Sequence, residues 1–209
     1  GGLRRGSEPE MFSPPAFKSE IAVYPKDLSE THICFGVEGL PYASEQRYIL
    51  AILNSIVGSS VSSRLFQEIR EKKGYAYSIY SFASSYKDAG LWAVYAGTGR
   101  KRAVTVTELI VKEMKGLYET VSDVELRRAK DQLKGNLVLG LESTSSRMQS
   151  IARQEMYYGR YFSQKEIMKE IESVTLRQVK DLSCRLINQG RMSLTVFGRV
   201  KGEDFKGLF

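Results

Sequence analysis

The segment "SSRLFQEIREKKGYAYSIYSFASSYKDAGLWAVYAG", Ser62 to Gly97, gathers an arginine, a glycine and three tyrosines around one junction between a helical pattern and a strand pattern. Arg70 and the tyrosines Tyr75, Tyr77 and Tyr80 are residues there whose types can do chemistry. A guanidinium and a phenol hydroxyl are both hydrogen-bond donors, able to hold a carbonyl oxygen or stabilise an oxyanion. Residue physics alone also offers a plainer account. Arg70 follows Ile69 near a helix end, where a cation complements the C-terminal dipole, and Tyr75, Tyr77 and Tyr80 suit a strand packing on its neighbours.

Other chemistries have little to draw on. His32 is the single histidine of the chain, whereas catalytic zinc usually takes three protein ligands and most often imidazole. His32 and Cys34 share a face of "ETHICFGVEG", and a metal there would need Cys184 brought in from far away. Two ordinary residues of a half-buried strand are the simpler reading. A serine or cysteine triad would also have to use His32, and no G-x-S-x-G elbow marks a nucleophile. Neither G-x-x-x-x-G-K-[ST] nor G-x-G-x-x-G occurs, so no phosphate-cradling loop is expected.

The elements that must position the junction are legible in outline. Residues 1–18 mix Gly, Pro, Ser and charge without periodicity and read as a linker or tail, and residues 19–209 read as a single domain. "EIAVYP" and "THICFGVEG" alternate as strands joined by the polar turn "KDLSE", as in a hairpin or adjacent strands. "EQRYILAILNSIVG" carries a broad apolar stripe that stops at Gly58. In the opening segment Ser62 is the expected N-cap of an α-helix, with Lys72, Lys73 and Gly74 as its cationic last turn and glycine stop. From Tyr75 the pattern has period two. It puts Tyr75, Tyr77, Ile79 and Ser81 on one face and Ala76, Ser78, Tyr80 and Phe82 on the other, before "YKDAG" turns back into "LWAVYAG".

The remainder is mostly helical. Val106, Ile110, Met114 and Leu117 mark one helix, and "SDVE" at Ser122 to Glu125 is a capping box that opens another. "STSSRMQSIARQEMYYGR" predicts a third that stops at Gly159, and two shorter helices precede a final strand, "RMSLTVFG". Strands, then helices, then a closing strand mean α+β, with an antiparallel or mixed sheet covered by helices on one face.

Composition narrows the function classes. A chain of 209 residues with 42% hydrophobic and 26% charged residues is long enough for one sizeable core. No run of some 18 apolar residues is available to span a bilayer, and "GGLRRGSEPEMFSPPAF" has no apolar h-region, so no membrane association is expected. Two cysteines make no disulfide framework and suit a reducing compartment, which favours the cytoplasm. The net charge of +7 comes from basic residues scattered among 24 acids. No nucleic-acid motif or dense basic patch accompanies it, so nucleic acid is not expected as a partner.

Two blocks carry a resemblance. "SSRLFQEIREKKGYAYSIYSFASSYKDAGLWAVYAGT", with "LESTSSRMQSIARQEMYYGR" roughly sixty residues later, resembles the second, non-zinc domain of the pitrilysin/insulinase family of zinc peptidases, nearest to bacterial relatives of the mitochondrial processing peptidase. The likeness runs from Phe17 to Val200. It implies a metallopeptidase half that forms, with a homologous zinc-bearing domain or subunit, a clamshell around a peptide chamber. The family's His-x-x-Glu-His motif is absent here, so the resemblance implies no cofactor in this chain, zinc in the companion half, and no activity for the chain alone. It also implies roles at the junction. Arg70 and Tyr77 match the family's arginine and tyrosine, seven residues apart, which reach the scissile peptide, and Tyr75 is a substrate-binding candidate beside them. The expected function is therefore one half of a zinc-dependent metalloendopeptidase, with a peptide substrate. The alternative is a catalytically silent scaffold subunit of the same fold. A basic nucleic-acid binder is the third reading, and the salt dependence of oligonucleotide binding would separate it.

Overall fold

The strand "THICFGVE" fixes the layout of the molecule. In the computed structural model, which describes residues 13–188 and 191–208, it forms β2, Thr31–Glu38. Its Ile33, Phe35 and Val37 are fully buried while His32 and Cys34 on the other face are only half-buried. Each such side chain contributes on the order of 1.5–3 kcal/mol when taken from water. Alternation of this kind marks a sheet with one covered face.

Around β2 assemble β1 (Ile21–Pro25), β3 (Ala76–Ser85), β4 (Gly90–Thr98) and β5 (Met192–Gly198), in the order β1-β5-β2-β4-β3. β1 runs parallel to β5, and the other pairings are antiparallel. The sheet is therefore mixed. The register lines up Val196, Ile33, Ala96 and Ile79 across four strands, and Leu194, Phe35, Val94 and Ser81 in the next row. Those rows face the helices.

The expected β1–β2 hairpin does not form, because β5 lies between the two strands. The physical reason is reach. Stepping across one intervening strand requires about 10 Å, and the five residues of "KDLSE" extend at about 3.3 Å each. A short polar connection therefore cannot by itself distinguish adjacent strands from strands one apart.

The covering layer consists of α1 (Arg47–Val57) over β3, α2 (Ala103–Thr120) over β2 and β4, and α6 (Leu176–Asn188) over β2. α3 (Asp123–Gly140) packs on α1, and α5 (Gln164–Ser173) on α3. The Ser122–Glu125 capping box forms as expected, and a second one opens α5 at Ser163 and Glu166. α4 (Thr144–Tyr158) ends at Gly159, whose φ of 63° is the left-handed cap expected there. Of the tail expected over 1–18, residues 1–12 lie outside the described residues, and 13–18 carry no regular structure.

Two ties hold the helices to the sheet beside the junction. Asn54 of α1 accepts hydrogen bonds from Trp92 Nε1 on β4 at 3.1 Å and from Ser81 Oγ on β3 at 3.0 Å. Gly58 approaches Ser81 so closely that a Cβ would lie 2.5 Å from its backbone nitrogen, so only glycine fits at this end of α1.

The second tie is a fork. Arg64 donates to both carboxylate oxygens of Glu125, at 2.6 and 2.8 Å, and to the hydroxyl and carbonyl of Thr120. It fastens the segment entering the junction to the α2–α3 turn. Burial pushes the Glu125 carboxyl up, but hydrogen bonds from Arg64 and Ser122 together hold it below its ordinary value. A depressed folded pKa means stability that is present above the unfolded pKa and lost as pH falls through the folded one. Glu125→Gln is expected to cost on the order of 1–3 kcal/mol at neutral pH. The gap in denaturant midpoint between wild type and variant should narrow as pH falls below the ordinary glutamate range and close only below the lowered folded pKa, where the carboxyl is protonated in both states. A gap undiminished at low pH would contradict this role for Glu125.

Candidate functional site

The junction differs from the expected simple helix in two ways, and both decide where side chains point. Phe66–Lys72 is wound as a π-helix, following two α-helical residues, Arg64 and Leu65. Such wide turns are rare and occur often at functional sites. Ser62 does not cap it; its hydroxyl pairs instead with that of Ser60 at 3.2 Å. The segment closes through Gly74 N–H to the Arg70 carbonyl and Tyr75 N–H to the Ile69 carbonyl. Gly74 has φ +62° with open space around it, so glycine is required there by backbone conformation and not by crowding.

β3 then carries a bulge. Ala76 pairs with Thr98 and Ser78 with Gly97, leaving Tyr77 as the extra residue. A bulge re-aims side chains by breaking the two-residue alternation. Ala76 and Ile79 accordingly share the covered face, at 6% and 4% exposed, while Tyr77 and Tyr80 are 64% and 47% exposed on the other side. The expectation that Tyr77 lies on the face of Ile79 is therefore corrected. Period-two counting fails here because one residue of β3 has no partner.

The three candidate residues end in different surroundings. Arg70 is exposed, with its guanidinium 4.7 Å over the ring of Phe66 one turn earlier. Tyr77 projects from the bulge, and its hydroxyl lies 3.8 Å from where a Cβ on Gly99 would sit. Among the described residues no hydrogen bond or ion pair engages either side chain. Tyr75 is half-buried against the core. Its ring lies under the Arg102 guanidinium at 4.3 Å, and its carbonyl accepts from Thr98 Oγ1 at 2.5 Å. Tyr75 and Tyr77 lie at the start of β3, and Arg70 lies in the π-helix packed on that strand, with no hydrogen bond or ring contact between Arg70 and Tyr77 among the described residues.

The uncovered sheet face continues from Tyr77 as a band that the sequence reading did not single out. Register rows place Phe197, His32, Gly97 and Ser78 side by side, and Thr195, Cys34, Tyr95 and Tyr80 in the next row. Tyr80 meets Tyr95 at 5.1 Å between ring centres, and Tyr24 meets Phe197 at 5.8 Å. The period-two spacing of Leu91, Ala93 and Tyr95 opposite Trp92 and Val94 was the signal available for it. Arg102 was also missed, and the run "GRKR" directly after β4 was its signal.

These residues do not fit zinc. His32 Nδ1 lies 2.7 Å from the Tyr95 hydroxyl, and burial pushes the Cys34 thiol up, which disfavours the thiolate that a metal needs. Among the described residues no three His, Cys, Asp or Glu side chains gather as ligands. No described helix is long and apolar enough to cross a membrane.

With this geometry in hand, the likeness to known proteins is specific. The family model described as "Peptidase M16 inactive domain" matches residues 4–133, more than half of the chain. The chain belongs to that family. It is 38% identical over 176 residues to the uncharacterized zinc protease YmxG of Bacillus subtilis, covering 84% of this chain and 43% of that protein. The chain thus spans less than half of that relative's length. A chain of Inz-5-bound complex III2 from Candida albicans superimposes with a TM-score of 0.85 at 23% identity, over 97% of this chain and 51% of that one. The peptidase M16 inactive domain from Pseudomonas fluorescens does so with a TM-score of 0.80 at 21% identity, over 90% and 46%. The M16 inactive domain is the second, non-zinc domain type of the pitrilysin/insulinase family, and the α+β fold expected from the sequence is the fold of these neighbours.

An M16 domain built on this donor set should hold no zinc of its own. After dialysis against metal-free buffer, metal analysis is expected to find far less than one zinc per chain. One tightly held zinc per chain, displaced by a His32→Ala substitution, would contradict the reading of the His32–Tyr95 pair.

Proposed function

We propose that this domain completes the peptide chamber of a zinc-dependent endopeptidase, with Arg70 and Tyr77 donating hydrogen bonds to the carbonyl oxygen of the bond that is cut. The observation that carries this reading is a pair of exposed, unengaged donors at one end of a sheet whose open face starts beside them. Amide hydrolysis gathers negative charge on that oxygen, and preorganised donors stabilise it without reorganising as the charge develops. The zinc that assists the hydrolysis would come from the homologous companion half, on the same polypeptide or on a partner subunit. Tyr75 is assigned a supporting part in peptide binding, through the accessible portion of its ring beside Arg102. The extended peptide would lie along the aromatic face of the sheet. Activity is accordingly a property of the assembly, and the chain alone is expected to be inactive.

A second reading has one observation in its favour. The same fold occurs in a chain of complex III2 from Candida albicans, so a scaffold role within a larger complex is open to it. A scaffold has no use for two unspent donors at the junction, which is why the peptidase reading is preferred.

Substitution separates the two. In the assembly with the zinc-bearing half, Tyr77→Phe removes one hydroxyl donor and is expected to lower kcat by about 10²-fold, the order seen when a single oxyanion donor is lost. The thermal midpoint should hardly move, because the ring is exposed and its hydroxyl bonds nothing. Arg70→Lys should also be damaging, since an ammonium cannot reproduce a planar two-pronged donor. Wild-type turnover in both variants, with chelator-sensitive cleavage retained, would end the catalytic assignment and favour the scaffold.

A further inference from the structure

We infer that the cleft next to Tyr77 binds a carboxylate of the peptide, so that the assembled peptidase favours an acidic residue or a free C-terminus close to the cleaved bond. This rests on the peptidase reading above and names the substrate class that the site would select.

The cleft lies at the end of the sheet where β1, β5 and β4 finish and β2 and β3 begin. It is open, with a volume of about 390 Å³, and its lining includes Lys26, Arg100, Arg199 and Lys201 together with Asp27 and Val200. Four cations thus face one carboxylate. Asp27 is already ion-paired with Arg199. Lys26, Arg100 and Lys201 form no ion pair among the described residues. Two other acids lie at this end of the sheet: Asp204 accepts the Lys201 backbone N–H at 3.1 Å, and the Glu30 carboxylate lies over Gly97 of β4.

The backbone fixes this convergence. β1 and β5 run parallel with Pro25 opposite Gly198, so Lys26 and Arg199 leave the sheet side by side, and Lys26 N–H donates to the Gly198 carbonyl at 3.0 Å. Arg100 comes from β4, across β2 from β5, two residues past the end of that strand, and opens the short helical turn Arg100–Arg102. Cations gathered in this way repel one another and concentrate anions, an arrangement that costs stability unless a ligand offsets it.

Position supplies the function. Gly99, the residue before Arg100, is the one that the Tyr77 hydroxyl faces. An extended peptide advances about 3.3 Å per residue, so a carboxylate in the cleft would sit within about four residues of a bond held at Tyr77. The cations act there as specificity-determining residues and take no part in the bond-breaking step. A polyanion such as nucleic acid is the less favoured occupant, because the cluster is confined to one cleft and the flanking sheet face carries aromatic rings and the Glu30 carboxylate, which lies against Gly97.

The test uses the assembly of this chain with its zinc-bearing half and three peptides of one sequence. The first has an internal Glu and an amidated C-terminus, the second Gln and a free C-terminus, and the third Gln and an amidated C-terminus. The kcat/KM for at least one carboxylate peptide should exceed that of the neutral one by about fivefold or more at low salt, with the preference shrinking in about 0.5 M salt. Whichever peptide is favoured identifies the source of the carboxylate. In a Lys26→Glu, Arg100→Glu double variant the ratio should fall to about one or invert. Because each ratio is taken within one preparation, general loss of activity cancels. Equal kcat/KM for all three peptides, or a preference that survives the double reversal, would overturn the inference. Fluorescence anisotropy with the same peptides reads affinity without cleavage. A salt-sensitive carboxylate preference in an assembly that cuts nothing would uphold the cleft and count against the proposed function. Equal affinities would overturn the cleft alone.

Discussion

Only one face of the five-stranded sheet is covered by helices, and that imbalance governs the rest of the molecule. The rows led by Ile33 and Phe35 are taken from water by α1, α2 and α6, while the rows led by His32 and Cys34 are not. Every residue of a strand is assigned to core or surface by the two-residue period alone, unless something interrupts it. At Tyr77 something does. The bulge keeps Ala76 and Ile79 both in the core and delivers Tyr77 to the open side, so burial on one face is what sets the direction of the candidate donor on the other.

The junction is held by means that leave its donors free. Arg64 spends its fork on Glu125 and Thr120, Gly74 supplies the left-handed turn, and Arg102 covers Tyr75. Polar groups with partners thus do the anchoring, and Arg70 and Tyr77 stand outside that network. Buried donors are engaged throughout: no buried side-chain nitrogen or oxygen among the described residues lacks a partner. Arg70 and Tyr77, by contrast, are exposed at the rim, and no hydrogen bond or ion pair among the described residues engages either side chain.

Much of this was legible in the sequence, and the failures have physical causes. The stripe from Ile49 to Val57, the Ser122–Glu125 box and the Gly159 stop are each local signals, and each became the element it predicted. The β3–β4 hairpin followed from "YKDAG" for the same reason. The β1–β2 pairing was misjudged because the partner of β1 is β5, some 170 residues away, and local pattern carries no information about a strand inserted later. The π-helical winding and the bulge were invisible since each alters the count of residues per repeat, which is the quantity that pattern reading assumes. Arg70 and Tyr77 were found through a family resemblance. Their exposure and freedom from partners depend on those two irregularities.

Peptide contact at the junction is the claim on which the functional account depends. It is tested most directly by a structure of the assembled protein, zinc-bearing half included, with an uncleaved peptide in the chamber. The decisive quantity is the distance from the Tyr77 hydroxyl oxygen to the nearest peptide carbonyl oxygen. The account expects about 2.6–3.2 Å, or one bridging water, with the Arg70 guanidinium on the same stretch of peptide. A peptide bound along the helical layer, or held on the open face with both Arg70 and Tyr77 beyond hydrogen-bond reach, would contradict it.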